Sequence, residues 1–350
     1  MCAESKSSHL GHTLGRPLSL KSLAFFTRRL IVVSNMAFVW QVYGMTMKPC
    51  PQLIRTMKWV SAASILGCQP GAELTEEDHE VWIVDQGASF IGAYGLGDGE
   101  YRSTVLELEE GVEASALVEL NGQIVLTDFS SGDVLSYNRT ERGLEEVVWE
   151  NGAEGTRPRL EEPCAIDVVD GSLWVLGNDS RNVLAFTGAG TEEVVSPSNV
   201  FRHPHDFAHS EAGWLYVSTS PSQRDVGLIQ VWDPIDMKLV ADFGWLDELQ
   251  DGTSLFFDSD QTLLVADFVG NQVLRFDPET GDVLEIVLSE PDGLRNPVKM
   301  AHHPVTGLLV LDQEGLLHVD EGHVERLIDG AHHNWVFPRN LLVVSTPPID

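Results

Sequence analysis

The sequence predicts an all-β protein built from repeated four-stranded antiparallel sheets, on three observations. The apolar runs are short, rich in β-branched residues and separated by Gly, Asn, Asp and Pro. One such unit recurs along the chain. The two ends look like complementary fragments of a further unit. The stretch TLLVADFVGNQVLRFDPETGDVLEIVL, residues 262–288, carries the first observation. Its runs Leu263 to Ala266, Val273 to Phe276 and Val283 to Leu288 are each too short for a helix. The turn DPETGD, with Pro278 and Gly281, suits a hairpin loop of four or five residues. So few strands bury too little apolar surface to stand alone, so the unit needs copies of itself.

Five full copies follow one another, at 116–149, 164–195, 205–243, 253–288 and 298–328. Each holds an inner strand, a polar turn, a strong apolar strand and two more strands joined by a charged hairpin. Asp128, Gly177, Ser218, Asp267 and Asp312 mark the end of the second strand, at intervals of 49, 41, 49 and 45 residues. A period in the forties fits one blade of a β-propeller. No copy has an apolar stripe at helical spacing, which excludes helical solenoids.

Before the first copy, residues 81–108 match the second, third and fourth strands but lack an inner strand. After the last, residues 334–345 (NWVFPRNLLVVS) supply an inner strand and one more apolar run. If they complete the first blade, a six-bladed β-propeller closes, leaving no open sheet edge at the seam. The run LLVV duplicates VWIV, so one strand is surplus, and a partial seventh blade stays open.

Charge divides the chain. It has 22 Lys+Arg against 53 Asp+Glu, yet residues 1–68 hold eight basic residues and one acid, leaving a balance of −38 in the remainder. A body this acidic repels nucleic acid and anionic membrane surfaces and favours cationic partners. Most of the acids fall in turns, where they serve solubility. At the break, Arg55 and Lys58 precede an apolar run from Trp59 to Leu66, and then Ile65-Leu66-Gly67-Cys68. This resembles a bacterial lipoprotein signal peptide, which implies cleavage before Cys68, acylation of its thiol and, with Gln69 following, an outer-membrane location in the cell envelope. Such a leader has to start at Met45, Met47 or Met57. The expected organisation is therefore an over-extended or disordered segment 1–44, a signal peptide 45–67, a linker 68–79 and a propeller 80–350. A membrane helix over Phe25 to Tyr43 is the competing view, but only about 14 residues follow Arg29, short of the ~20 that a span needs. The mature chain would keep Cys68 and Cys164 alone, with no disulfide framework. Cys164 reads as a small core hydrophobe.

At VADFVGNQVLRFD the chain resembles the NHL-repeat and gluconolactonase-like group of six-bladed β-propellers. The resemblance implies a site at the mouth of the central channel, where loops from every blade converge. The inner-strand positions there read Ala114, Cys164, His205, Thr253, Val298 and His333. The lactonases of this group imply a calcium or zinc site of one Glu, two Asn and one Asp. Where Asn would follow Pro, this chain has Pro163-Cys164, Pro204-His205 and Pro297-Val298, and Pro291-Asp292-Gly293 reads as a turn. The peptidylglycine-cleaving lyase propellers imply a zinc site of histidines. His205 and His333, on opposite blades, with His203, His332 or Asp206 as a third ligand, are the candidates for it. Turn and loop histidines in a protein with 12 of them are the plain alternative. The quinone-binding propellers imply Trp at a fixed place in each blade; here Trp82, Trp149, Trp174, Trp214, Trp232, Trp245 and Trp335 are scattered, which points to core packing.

No nucleophile elbow, phosphate-binding Gly loop or Cys pair occurs. The expectation is a monomeric, lipid-anchored envelope propeller that binds a protein or small-molecule ligand. Nucleic acid is not an expected partner, and the membrane is met through the anchor only. The second expectation is a metal-dependent hydrolase or lyase, lactonase-like or zinc lyase-like, with zinc or calcium as its cofactor.

Overall fold

A computed structural model describes residues 79–86, 90–138, 144–149, 160–187, 192–220, 228–245, 247–305 and 307–345, all within the compact unit Glu73–Asp350. Cys68 and the segments 1–44, 45–67 and 68–78 lie outside the described residues.

Six four-stranded antiparallel blades form a propeller ring. Blade 1 contains β1 (His79–Asp85), β2 (Phe90–Gly95) and β3 (Tyr101–Glu107). Blade 2 is β4 (Ala114–Leu120), β5 (Gln123–Asp128), β6 (Val134–Asn138) and β7 (Leu144–Trp149). Blade 3 is β8 (Pro163–Val169), β9 (Ser172–Gly177), β10 (Asn182–Phe186) and β11 (Glu192–Ser196). Blade 4 is β12 (Pro204–His209), β13 (Leu215–Thr219), β14 (Ile229–Asp233) and β15 (Lys238–Phe243). Blade 5 is β16 (Gly252–Phe257), β17 (Leu263–Asp267), β18 (Gln272–Phe276) and β19 (Val283–Ser289). Blade 6 is β20 (Lys299–His302), β21 (Leu308–Asp312), β22 (Gly315–Asp320) and β23 (His323–Asp329). The last strand, β24 (Pro338–Ser345), is the innermost strand of blade 1, in the order β24-β1-β2-β3.

The closure resolves the surplus strand. LLVV lies in β24 and pairs antiparallel with β1, Trp82 opposite Leu342 and His79 opposite Ser345. Asn334 to Phe337, expected as the inner strand, instead form the turn before it. The second-strand marker of blade 4 also shifts by one residue, because Thr219, opposite Pro204, takes the register expected of Ser218.

Packing follows from blade geometry. Second strands such as β17 are buried along their whole length between neighbouring blades, which is why they read as continuous apolar runs. Outer strands such as β15 are mostly exposed. Six apolar clusters each sit between two consecutive blades. One joins Leu309, Leu316 and Ile328 of blade 6 to Val81, Tyr94 and Leu341 of blade 1, so the seam is packed like the other interfaces. Of the tryptophans, Trp82, Trp149 and Trp232 are buried, as core packing requires. Trp214 and Trp245 are exposed, which corrects that expectation for these two.

One buried carboxylate recurs. Asp85, Asp128, Asp267 and Asp312 end their second strands and are nearly or fully buried. Each accepts N–H groups from the chain just ahead of its blade's inner strand: Val336 and Phe337 on Asp85, Glu113 on Asp128, Gln250 and Asp251 on Asp267, Arg295 on Asp312. Asp267 also takes the Gly270 N–H and the Gln272 amide. These are charge-assisted bonds, so their loss strands several buried donors at once. Asp267→Ala should lower the unfolding free energy by about 3 kcal/mol or more in urea titration with little change in slope; a loss below about 1 kcal/mol would show that the carboxylate does not hold the loop.

Candidate functional site at the channel mouth

In five blades the ladder between the inner and second strands slips by one residue near the start of the inner strand. The extra residues are Ser115, Cys164, His205, Thr253 and Arg339. In blade 6 Val298 takes the same place, one residue before β20, its N–H bonded to Leu311 O. A bulge re-aims the side chain it inserts. All six of these residues line one cavity of ≈ 200 Å³ at the channel mouth, with Phe129, Phe268 and Phe337 among its walls.

Three of the six are tied to the frame. The Ser115 hydroxyl donates to Pro163 O, the Cys164 thiol to Pro204 O at 3.4 Å, and the Thr253 hydroxyl to Pro297 O at 2.7 Å. Each therefore bonds the carbonyl just ahead of the extra residue of the next blade, stitching neighbours around the ring. Burial pushes the Cys164 thiol far up from its ordinary value, so it is no nucleophile at neutral pH. Val298 offers no polar atom. His205 and Arg339 remain, on blades 4 and 1, opposite each other in the ring.

Around His205, its Nε2 lies 2.5 Å from Ser220 Oγ and 3.7 Å from Asp251 Oδ1, and the Ser220 hydroxyl donates to Asp251 Oδ1 at 3.3 Å. Burial lowers the His205 pKa below the usual imidazole value, and burial raises that of Asp251. Asp251 stands on the segment that Asp267 pins. Serine and carboxylate share one ring nitrogen, so this is not a relay that orients histidine as a base towards serine, which would place the carboxylate at the other nitrogen.

Asp206, next to His205, faces deeper into the channel. Lys299 Nζ reaches its two oxygens at 2.9 and 2.7 Å, and Ser254 Oγ and Leu255 N donate to Oδ2. Blades 4, 5 and 6 are thus joined across the channel by a satisfied ion pair. Arg339 differs. Its Nε donates to Gln86 Oε1 at 2.9 Å and its guanidinium lies 4.4 Å from the centre of the Phe337 ring. Among the described residues no carboxylate pairs with it; the residue is exposed at the mouth, and desolvation by the atoms around it lowers its pKa.

The expected metal ligands are not gathered. His205 and Asp206 line the cavity. His203 is exposed in a left-handed backbone conformation, 3.3 Å from Arg181. His332 is exposed beside Asp329. His333 packs edge-on against Tyr94, 4.9 Å between ring centres, in the turn ahead of β24. Two mouth positions differ from expectation: the first, expected at Ala114, is Ser115, because Ala114 pairs with Asp128, and the sixth, expected at His333, is Arg339. Among the described residues no group of three or more His, Cys, Asp or Glu is placed to hold a metal ion. Pro291-Asp292 forms the expected turn, a short 3-10 segment (Glu290–Asp292) with Ser289 bonded to Asp292. The sequence carries a signal for Arg339 that the search for histidines passed over: Pro338-Arg339 repeats the pairing of Pro163-Cys164, Pro204-His205 and Pro297-Val298.

No protein-family profile and no curated protein sequence matches the chain. Solved structures do. A chain of a nidogen/laminin complex superposes with TM-score 0.59 at 13% identity, covering 77% of this chain and 100% of that one. A protein of unknown function from Bacteroides caccae gives 0.58 at 15%, covering 76% and 99%. Virginiamycin B lyase from Staphylococcus aureus gives 0.51 at 12%, covering 72% and 84%. What they share with this chain is the propeller fold. At these identities the likeness extends to architecture and not to activity.

The electrostatics of the mouth are testable by NMR titration of the His205 ring. Burial and the positive charge of Arg339 lower its pKa, while the charge of Asp251 raises it. His205 should therefore titrate below the ordinary ~6.5, lower still in Asp251→Asn and higher in Arg339→Gln. A midpoint at or above ~6.5 in the parent would contradict a half-buried ring whose desolvation outweighs Asp251.

Proposed function

We propose that this protein is a ligand-binding propeller whose site is the channel mouth, held at a bacterial cell envelope by a lipid on Cys68. The observation that carries the binding site is the set of six displaced residues facing one cavity, of which His205 and Arg339 are spared from stitching the blades. A concavity with apolar walls and a few convergent polar groups is the common form of a small-molecule site. Its ≈ 200 Å³ would hold roughly seven waters at ~30 Å³ each, the size of a small metabolite. The tether draws on the apolar run and Leu66-Gly67-Cys68 at the charge break.

The hydrolase or lyase reading uses the same His205, neutral and next to Asp206. It needs a third metal ligand at the mouth, and Asp206 is already engaged by Lys299. Binding without chemistry is the reading preferred.

Two experiments test this. Fragment screening by NMR should give shifts that converge on Ser115, His205, Thr253 and Arg339, and Val298→Phe, which fills the cavity without touching a stitching bond, should abolish them at an unchanged melting temperature. Hits that ignore the mouth would discard the site. In a bacterial host the mature chain should begin at an acylated Cys68 and fractionate with membranes, and Cys68→Ser should leave it unprocessed. An intact mass showing an unlipidated N-terminus upstream of Cys68 would discard the tether.

A further inference from the structure

Resting on the mouth as the binding site, we infer that its ligand is a small carboxylate carrying a hydrogen-bond donor and an apolar body, with the carboxylate on Arg339 and the donor on His205 Nδ1. Three observations lead there.

The first is the state of Arg339. A guanidinium presents five N–H donors in a planar fork that matches a carboxylate. Here Nε is fixed by Gln86 and the guanidinium carbon lies over the Phe337 ring, so the remaining N–H groups are oriented before anything binds. The other cation of the cavity, Lys299, is consumed by Asp206. Arg275 and Arg326, elsewhere in the ring, are likewise paired with carboxylates. Arg339 stands apart from them, lining a cavity without an acidic partner.

The second is the proton inventory around His205. A serine hydroxyl has one hydrogen, and Ser220 donates it to Asp251 Oδ1, since an ionised carboxylate only accepts. The 2.5 Å contact between Ser220 Oγ and His205 Nε2 is then a bond donated by the ring. The neutral imidazole therefore carries its hydrogen on Nε2 and a lone pair on Nδ1. No protein group among the described residues bonds Nδ1. The mouth thus offers a cationic fork on one side and a neutral acceptor on the opposite blade, with Phe129, Phe268 and Phe337 among the walls. An anion with no donor would leave His205 unsatisfied, and a cation would meet Arg339.

The third is the field of the whole body. With a balance of −38 beyond residue 68, the protein repels free anions and gathers cations without selectivity. A carboxylate bound against that field has to be held by a built site, and non-specific attraction cannot imitate it.

The test uses the purified full-length protein, with mandelate as the probe, since it has a carboxylate, a hydroxyl donor and a phenyl ring. Phenylacetate lacks the hydroxyl, 1-phenyl-1,2-ethanediol lacks the charge, and phenethylamine reverses it. Dissociation constants come from NMR shift titration at low and at about 0.5 M salt. Mandelate should bind at the mouth at least tenfold tighter than the diol and severalfold tighter than phenylacetate, and phenethylamine should show only salt-sensitive, diffuse shifts. Arg339→Gln should erase the preference for mandelate over the diol, and His205→Leu the preference over phenylacetate. The comparison within the parent stands even where a variant fails to fold. If the diol or phenethylamine binds the mouth as tightly as mandelate, the carboxylate class is wrong while the site stands. If no probe shifts any mouth residue, both the class and the site fall.

Discussion

The buried carboxylate at the end of the second strand is the constraint on which the mouth depends. Four blades use it in the same way, turning a side chain inward to hold the backbone N–H groups of the segment that leads into the inner strand. That segment carries no ladder of its own, and its donors would otherwise be stranded near the channel. Holding it fixes the register slip that follows, and the slip aims one side chain per blade into the cavity. In blade 3 the residue at this register is Gly177; Ser180 Oγ takes the Glu161 N–H instead, and a side chain at Gly177 would collide with that hydroxyl. In blade 4 it is Thr219, whose hydroxyl turns to Leu228 O.

Periodicity and exception divide the labour. Hydroxyl or thiol groups at Ser115, Cys164 and Thr253 bond forward to the next blade, and their chemistry is spent on the ring. His205 and Arg339 are the departures that polar stitching does not explain, and they face each other from blades 4 and 1. The one blade whose second strand ends in neither an acid nor a glycine is also the blade that presents His205. Its neighbour Asp251 is supplied from blade 5, on a segment held by Asp267. A frame interaction in one blade thereby sets the electrostatics of a group in another.

The fold was legible because propeller blades repeat and each repeat is local. Apolar runs bounded by turn residues set β17 almost to the residue, the end markers Asp312 and Ser218 met the end of β21 and came within one residue of the end of β13, and the complementary ends foretold closure. Less legible was which apolar run of residues 334–345 was the inner strand. NWVF and LLVV are both apolar, and the choice turns on Asp85 capping the Val336 and Phe337 amides, a contact between residues far apart in sequence. The same uncertainty hid Arg339, whose position is defined by pairing opposite β1. Histidines drew attention by residue type, yet His333 packs on Tyr94 and His332 lies in solvent. Four of the six mouth positions were readable from their alignment within the repeat, and a fifth was missed by one residue, Ala114 for Ser115; the partners Ser220 and Asp251 were not, since loops converge only once the ring is formed.

Closure through β24 has a consequence for how the chain comes to be folded. Blade 1 is the first to leave the ribosome, yet its innermost strand is made last, with His79 paired to Ser345. Until then the central edge of β1 is bare, and the strand carrying the continuous apolar run Val81 to Val84 lacks its pairing partner. Blades 2 to 6 can each form from contiguous sequence as they emerge, whereas the seam waits for the pairing most distant in sequence among the described strands, the kind that carries the largest loop-closure cost. The nascent protein therefore spends most of its synthesis as an open arc with a sticky leading edge, and keeping this edge shielded until β24 arrives is part of what the architecture demands.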